Sequence, residues 1–272
     1  MYHLLANYAS VNSATVVQLN AVADGQFTQQ NNAFIFTEAY YLEALYASGA
    51  TIAIAQINDP LLNAINNFQI YPTNKSLTPA ANPNVMDLRR APQTLPMNEQ
   101  FMIQAANSAG GAEATICLLF IRPPNDGGQD WSVKPGTAQN PRTIAVFTAT
   151  IVLTVGVWSP LVAITFTNPL KGGAYQINGT NLVCANGTAY RWMFPKQPLY
   201  VGRKLQAGGL CDAAYGNQPL RFGPDWLAGQ GRFNYFEPPQ IQALGNATTG
   251  STTYTGYMDL TYLGDPGVGM VP

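Results

Sequence analysis

The sequence predicts an all-β chain of 272 residues, built as two tandem antiparallel β-sandwiches or barrels with long Pro- and Gly-rich loops. Three observations carry that reading. Apolar and other residues alternate at period two, most plainly from Thr143 to Val157. Pro, Gly and Asn clusters break the chain at short intervals, as they do between short strands. Strand-like motifs in residues 1–121 return in the same order in residues 142–272, across a turn-rich linker at residues 122–141.

Taken in order, Met1–Ser10 can put Leu4, Leu5 and Tyr8 on one side of a short helical turn and reads as an N-terminal arm against a membrane or neighbour, or as a frayed terminus, which is commoner. Ala14–Val22 is the first strand. Ala33–Tyr46 opens as the strand Phe34-Ile-Phe-Thr37 and then becomes irregular, although its Glu-Ala-Tyr-Tyr-Leu-Glu core tolerates a helix. Ser48-Gly49 turns the chain into Ala50–Ile57, where Ile52, Ile54 and Ile57 supply core residues. Phe68–Tyr71 is another short strand. Pro72–Pro96 is a long loop rich in Pro and Asn, of the kind that serves function or interfaces. Gln100–Ala106 and Ala114–Ile121 are strands joined by small residues from Asn107 to Gly111.

Arg122–Pro141 contains turn formers and almost no apolar periodicity. Directly after it, Thr143–Val157 carries apolar residues at every odd position: Ala145, Phe147, Ala149, Ile151, Leu153, Val155 and Val157. Its even positions mix Ile144, Val146 and Val152 with threonines and Gly156. One face is thus fully apolar and the other half-polar, and the β-branched content favours a pleated strand. A lone sandwich would leave Ile144, Val146 and Val152 partly exposed, so a neighbouring sandwich or subunit is expected to cover them. No charge falls between Thr143 and Leu170, a length that could cross a membrane as a helix. The alternation, the threonines and Ser159-Pro160 argue for strands instead. Val162–Thr167 follows as a strand, and Asn178-Gly179 and Asn186-Gly187 bracket Thr180–Ala185 as hairpin turns. Tyr190–Phe194, Gln240–Leu244 and Thr253–Leu263 are the remaining strands, with a second long loop at Lys196–Pro239.

The internal echo has five parts. Ala149–Val157 resembles Ala14–Val22, Ile164–Thr167 resembles Phe34–Thr37, and Asn178–Ala185 lies on Ser48–Ala55. Arg191–Pro195 resembles Phe68–Pro72, and Ile241–Gly245 resembles Ile103–Asn107. All keep their order at offsets of 123 to 138 residues, which favours a duplication over a shared rhythm of turns.

Composition limits function. Charged residues are 10% of the chain and the net charge is −1, so the polar surface is mostly uncharged and suits a protein packed against neighbours. No Lys or Arg precedes Lys75, which argues against a basic arm for nucleic acid and a secretory n-region. The Asn-x-Ser/Thr triplets at Asn74, Asn178, Asn186 and Asn246 then read as turn chemistry. Cys117, Cys184 and Cys211 have no zinc-like spacing and read as core residues, with a chance disulfide as the alternative.

The single histidine, His3, leaves no Ser-His-Asp or Cys-His arrangement and no His-rich metal site. Asn125–Asp130 has a faint calcium-loop look but lacks the far-end ligand and reads as a turn. Glu38, Glu43, Glu99, Glu113 and Glu237 could in principle pair for glycoside hydrolysis, but none sits in a recognisable setting. Trp131, Trp226 and Tyr235 could form a sugar platform, or anchor loops at an interface. The reading therefore assigns no catalytic, cofactor-binding or metal-ligating residue and expects a protein that is not an enzyme.

Two tandem all-β halves, a short linker, a long loop late in each half and low charge together resemble the double-jelly-roll major capsid proteins of tailless icosahedral viruses. Those viruses include membrane-containing bacteriophages. The resemblance is architectural and covers nearly the whole chain. It implies two eight-stranded jelly rolls side by side, at residues 1–121 and 142–272, and a homotrimer forming a pseudo-hexagonal capsomer of the virion shell. Pro72–Pro96 and Lys196–Pro239 would be outward towers or clamps. Met1–Ser10 would face an internal membrane or another virion protein, and vertex proteins would be further partners. The chain would occupy the virion, and the host cytoplasm before assembly, without touching nucleic acid. The rival expectations are a carbohydrate-binding or glycoside-hydrolysing sandwich and a spike or fibre protein.

Overall fold

The computed structural model describes residues 3–58, 69–71, 73–74, 85–88, 90–95, 97–98, 100–108, 111–124, 140–194, 205–212 and 231–264. Among these, every regular element is a β-strand. The first half contains β1 (His3–Val11), β2 (Val17–Ala21), β3 (Thr28–Gln30), β4 (Ala33–Ile35), β5 (Tyr40–Ser48) and β6 (Ile52–Asn58). It continues with β7 (Gln69–Tyr71), β8 (Thr73–Asn74), β9 (Met86–Asp87), β10 (Gln93–Leu95), β11 (Gln100–Asn107) and β12 (Glu113–Arg122). The second half contains β13 (Arg142–Ile151), β14 (Val162–Ala163), β15 (Thr165–Phe166), β16 (Ala174–Val183) and β17 (Gly187–Met193). It ends with β18 (Leu205–Leu210), β19 (Arg232–Asn234), β20 (Gln240–Gly245) and β21 (Thr252–Gly264).

In the first half, β10, β5, β12 and β1 lie side by side, and β2, β11, β6 and β7 form a second run. Two residue pairs between β1 and β2, Asn7↔Ala21 and Tyr8↔Asn20, join the runs at a corner. The second half pairs β19, β16, β21 and β13 in one sheet and β18, β17, β20 and β14 in another. Position by position, the second order repeats the first: β13 stands as β1, β16 as β5, β17 as β6, β20 as β11 and β21 as β12. Among the named strands, pairing is antiparallel except between β5 and β8.

Each half closes its two sheets over its own core. Leu5, Cys117, Leu119 and Ile121 from one sheet meet Leu19, Ile57, Phe101 and Ile103 from the other. In the second half, Ala145, Phe147, Ala149 and Ile151 meet Tyr190, Trp192, Ile241 and Ala243. The odd-numbered face of β13 is therefore the core face, as its alternation requires. Phe147 packs edge-on to Trp192 with ring centroids 5.5 Å apart.

Several expectations need correction. His3–Val11 is no arm and no helical turn: it pairs with β12 along its whole length, and His3 is 1% exposed. Alternation of Leu4 and Ala6 with Leu5 suits a strand buried on both faces, which helical spacing of three apolar residues could not exclude. The regular strand after Arg142 stops at Ile151, and the chain then turns at Gly156, whose φ of 68° favours glycine. Asn178-Gly179 is not a hairpin turn. β16 runs through it with a bulge between Ile177 and Gly179, and Asn178 donates to Thr261 Oγ1 at 2.9 Å. Asn186-Gly187 does turn the chain, but between strands of different sheets. Pro72–Pro96 contributes three short strands to the edge at β5, and Lys196–Pro239 supplies β18 and β19. Of the echoes, Ile103–Asn107 with Ile241–Gly245 joins equivalent strands. Ala14–Val22 with Ala149–Val157 does not, since β13 takes the place of β1. The linker is described only at its two ends.

Candidate assembly interface

A third apolar cluster lies between the halves. Leu4, Ala6, Ala44, Tyr46, Ile116, Leu118 and Phe120, from the outward face of the β5–β12–β1 sheet, pack on Trp158, Ala189, Ala207 and Leu244. β12 is thus buried on both faces: Cys117, Leu119 and Ile121 point to the first core, Ile116, Leu118 and Phe120 to the junction. Its uninterrupted run Ile-Cys-Leu-Leu-Phe-Ile is what two-sided burial demands. Backbone approach is close here. A Cβ on Gly156 would lie 2.2 Å from the Tyr8 ring, so only glycine lets that turn reach β1.

Polar groups fasten the same junction. Leu205, the first residue of β18, receives His3 Nδ1 on its carbonyl at 3.1 Å, and its N–H donates to Gln26 Oε1 at 3.0 Å. Arg191 and Asp24, 2% and 1% exposed, face each other at 3.6 Å. Arg191 also donates to Gln242 Oε1 at 2.9 Å and lies 4.1 Å over the Trp158 ring. Burial pulls the Arg191 guanidinium down to about 10, while Asp24 pulls the other way, so it stays charged at neutral pH. Asp24 Oδ1 accepts the N–H groups of Gln26 and Phe27 at 2.9 and 3.0 Å. The pair therefore joins a turn of one half to a strand of the other.

The face of the second half that corresponds to this covered face stays open. On β13 and β21, Ile144, Val146, Thr148 and Thr150 stand opposite Asp259, Tyr257, Thr255 and Thr253. Ile144 is 41% and Val152 50% exposed, so of the two covers expected, a neighbouring sandwich or a subunit, the first half of this chain is not the one. The reason is geometric: one chain has one junction, and the β1 sheet occupies it. Charge on this open face is confined to one end, where Asp259 is buried against Arg142 Nε at 2.8 Å. In the first half, the outward side of β2, β11 and β6 carries Gln18, Gln104 and Gln56, with Gln56 only 5% exposed and donating to Gln104 at 2.9 Å, and among the described residues of these strands it carries no charge.

The residues weighed for chemistry are dispersed. Tyr40 donates to Glu38 at 2.6 Å, Arg122 to Glu43 at 2.7 Å, and the Thr51 N–H to Glu113 at 2.6 Å. Tyr235 packs against the second core. Trp131, Trp226, Glu99 and Asn125–Asp130 lie outside the described residues. Asn246 is 9% exposed and donates to Gly187 O at 3.3 Å, which is turn chemistry. All three cysteines are buried and free. Among the described residues, no three His, Cys, Asp or Glu side chains gather as a metal site, and no helix is long and apolar enough to cross a membrane. No protein-family model, curated protein or solved structure matches the chain.

Sequence reasoning missed that β12 is covered on both faces. The signal was present in Ile116–Ile121, where no polar residue interrupts the run, and in Arg191, a lone charge between Tyr190 and Trp192.

Proposed function

We propose that this chain is a structural shell protein of a tailless icosahedral virus: two tandem jelly rolls that self-assemble as pseudo-hexagonal trimers. The observation that carries the reading is the repeated strand order. Counting the principal strands of each half from one to eight, one sheet runs 6-3-8-1 and the other 5-4-7-2. Two Greek keys closing an eight-stranded sandwich produce that order.

Its assembly follows from the unequal treatment of equivalent faces. Within the chain, the outward face of the β1 sheet docks on the β17–β20 sheet of the second half. The corresponding outward face of the β13 sheet, where Ile144 is 41% exposed, has no such cover among the described residues, and the outward side of the β2–β11–β6 sheet of the first half is polar and uncharged there. Docking the first of these on the second in a neighbouring copy repeats the internal junction between chains. Such a head-to-tail contact uses two different surfaces and closes a ring when the rotation permits. Three chains then give six sandwiches around one axis. Faces with little charge suit burial at the centre of such contacts.

The test is assembly of the purified chain, followed by light scattering and electron microscopy. Trimers and shell fragments are expected. Ile144→Asp, on an exposed position, should leave the thermal transition within about 2 °C of the parent, since exposed substitutions change stability little. It should also shift the population to monomer. A parent chain that stays monomeric at all concentrations and salts would end this reading, and glycan binding by that monomer would favour the carbohydrate-binding alternative.

A further inference from the structure

Two of the three cysteines converge beneath one turn. Cys184 follows β16 and Cys211 follows β18, so they come from opposite sheets of the second sandwich. A bridge between Val183 and Asp212 sets the two segments side by side, with Cys184 N–H on Asp212 O at 2.8 Å and Asp212 N–H on Leu182 O at 2.9 Å. That bridge is parallel, so Cys184, just after it on one segment, and Cys211, just before it on the other, share one face. A Cβ placed on Gly187 would lie 2.8 Å from one sulfur and 2.9 Å from the other. The missing side chain at Gly187 is what leaves both sulfurs room at one point. Their burial is 0% and 1% exposure, but the roof is the turn Cys184–Gly187, where Ala185 is exposed. The Cys211 thiol donates to Cys184 and holds it below the usual thiol range against burial, while burial pushes Cys211 well up.

We infer that Cys184 and Cys211 are a redox pair that a small disulfide such as glutathione disulfide converts to an intrachain disulfide, stapling the two sheets of the second sandwich. The Cys184 thiolate attacks one sulfur of glutathione disulfide, giving a mixed disulfide and releasing one glutathione thiolate. Cys211 loses its proton and attacks the Cys184 sulfur, expelling the second glutathione. Two protein thiols are oxidised and one glutathione disulfide is reduced to two glutathiones. Opening of the Ala185–Asn186 turn admits the oxidant. The third cysteine, Cys117, lies in the first core and serves as an internal control.

The experiment treats the full chain with glutathione disulfide, in buffer and in urea below the unfolding transition. Free thiols are then alkylated and the chain is digested with trypsin without reduction. Cleavage after Arg191 and Lys204 puts Cys184 and Cys211 on separate peptides, so their linkage is visible by mass spectrometry. The expected product is the Cys184–Cys211 peptide pair, lighter by two hydrogens, with Cys117 alkylated. It should raise the Tm by about 10 °C, reversibly with dithiothreitol, as closing a loop of this length predicts. In Cys211→Ser, Cys184 should instead stop at the glutathione adduct. Three alkylated thiols in both conditions, a linkage through Cys117, or a linkage only between chains would each overturn the inference. None of these outcomes bears on shell assembly.

Discussion

Arg191 illustrates how a single residue can join two sandwiches. A guanidinium this deeply buried needs a counter-charge, and Asp24 provides it from the other half, with Trp158 and Gln242 occupying the remaining sides. Asp24→Asn keeps the acceptor for the Gln26 and Phe27 N–H groups and removes only the charge. Urea denaturation should show it destabilised by about 3 kcal/mol, the usual cost of stranding a buried charge. Arg191→Met should cost a similar amount alone, and the double variant less than the sum of the two; strict additivity would mean the pair is uncoupled. Gly156 is the second critical residue. With φ at 68° and the Tyr8 ring where a Cβ would be, Gly156→Ala should cost at least about 2 kcal/mol. Part of that loss should return on a Tyr8→Ala background, because only the clash and not the strain is then relieved.

Among the elements, β12 and β13 are each ten residues long and have opposite fates. β12 is buried on both faces, whereas β13 has one core face and one face looking outward. Leu118→Ser should therefore cost about 3 kcal/mol by calorimetry, as truncation at a sealed junction does. Val152→Thr, at a half-exposed site, should stay within about 0.5 kcal/mol. Equal effects would mean that the junction does not persist in solution. Strand positions were largely legible in the sequence: Gln100–Ala106, Ala114–Ile121, Gln240–Leu244 and Thr253–Leu263 lie within a residue or so of β11, β12, β20 and β21. β1 was not, because Leu4, Leu5 and Tyr8 fit a helix as well as a strand, and only pairing with β12 decides. The short strands β8, β9 and β10 were equally hidden, since two- or three-residue edge pairings leave no periodicity to read.

At the scale of the whole molecule, the two sandwiches are not independent. The first half exposes Leu4, Tyr46, Leu118 and Phe120 if the second is removed. Residues 1–124 expressed alone should therefore bind a hydrophobic dye and self-associate, and adding residues 140–272 in trans should suppress both. A well-behaved monomeric first half would show that the junction contributes little. The same logic extends outward. Among the described residues, the outward faces of β13 and of β2–β11–β6 carry little charge.

The sequence by itself determined the all-β class, most strand positions and the core face of β13. These follow from local alternation and from turn residues, which are properties of short windows. Only the tertiary structure decided that β1 is a central strand, that β13 is equivalent to β1 rather than to β2, and that the covered outward face belongs to the first half. Those facts depend on pairing between residues more than 100 positions apart, as in His3 with Ile121. They depend also on which sheet reaches its neighbour first, which alternation along one strand cannot encode. A half-apolar face such as Ile144–Val152 states that something could cover it; the neighbour's shape determines whether anything does.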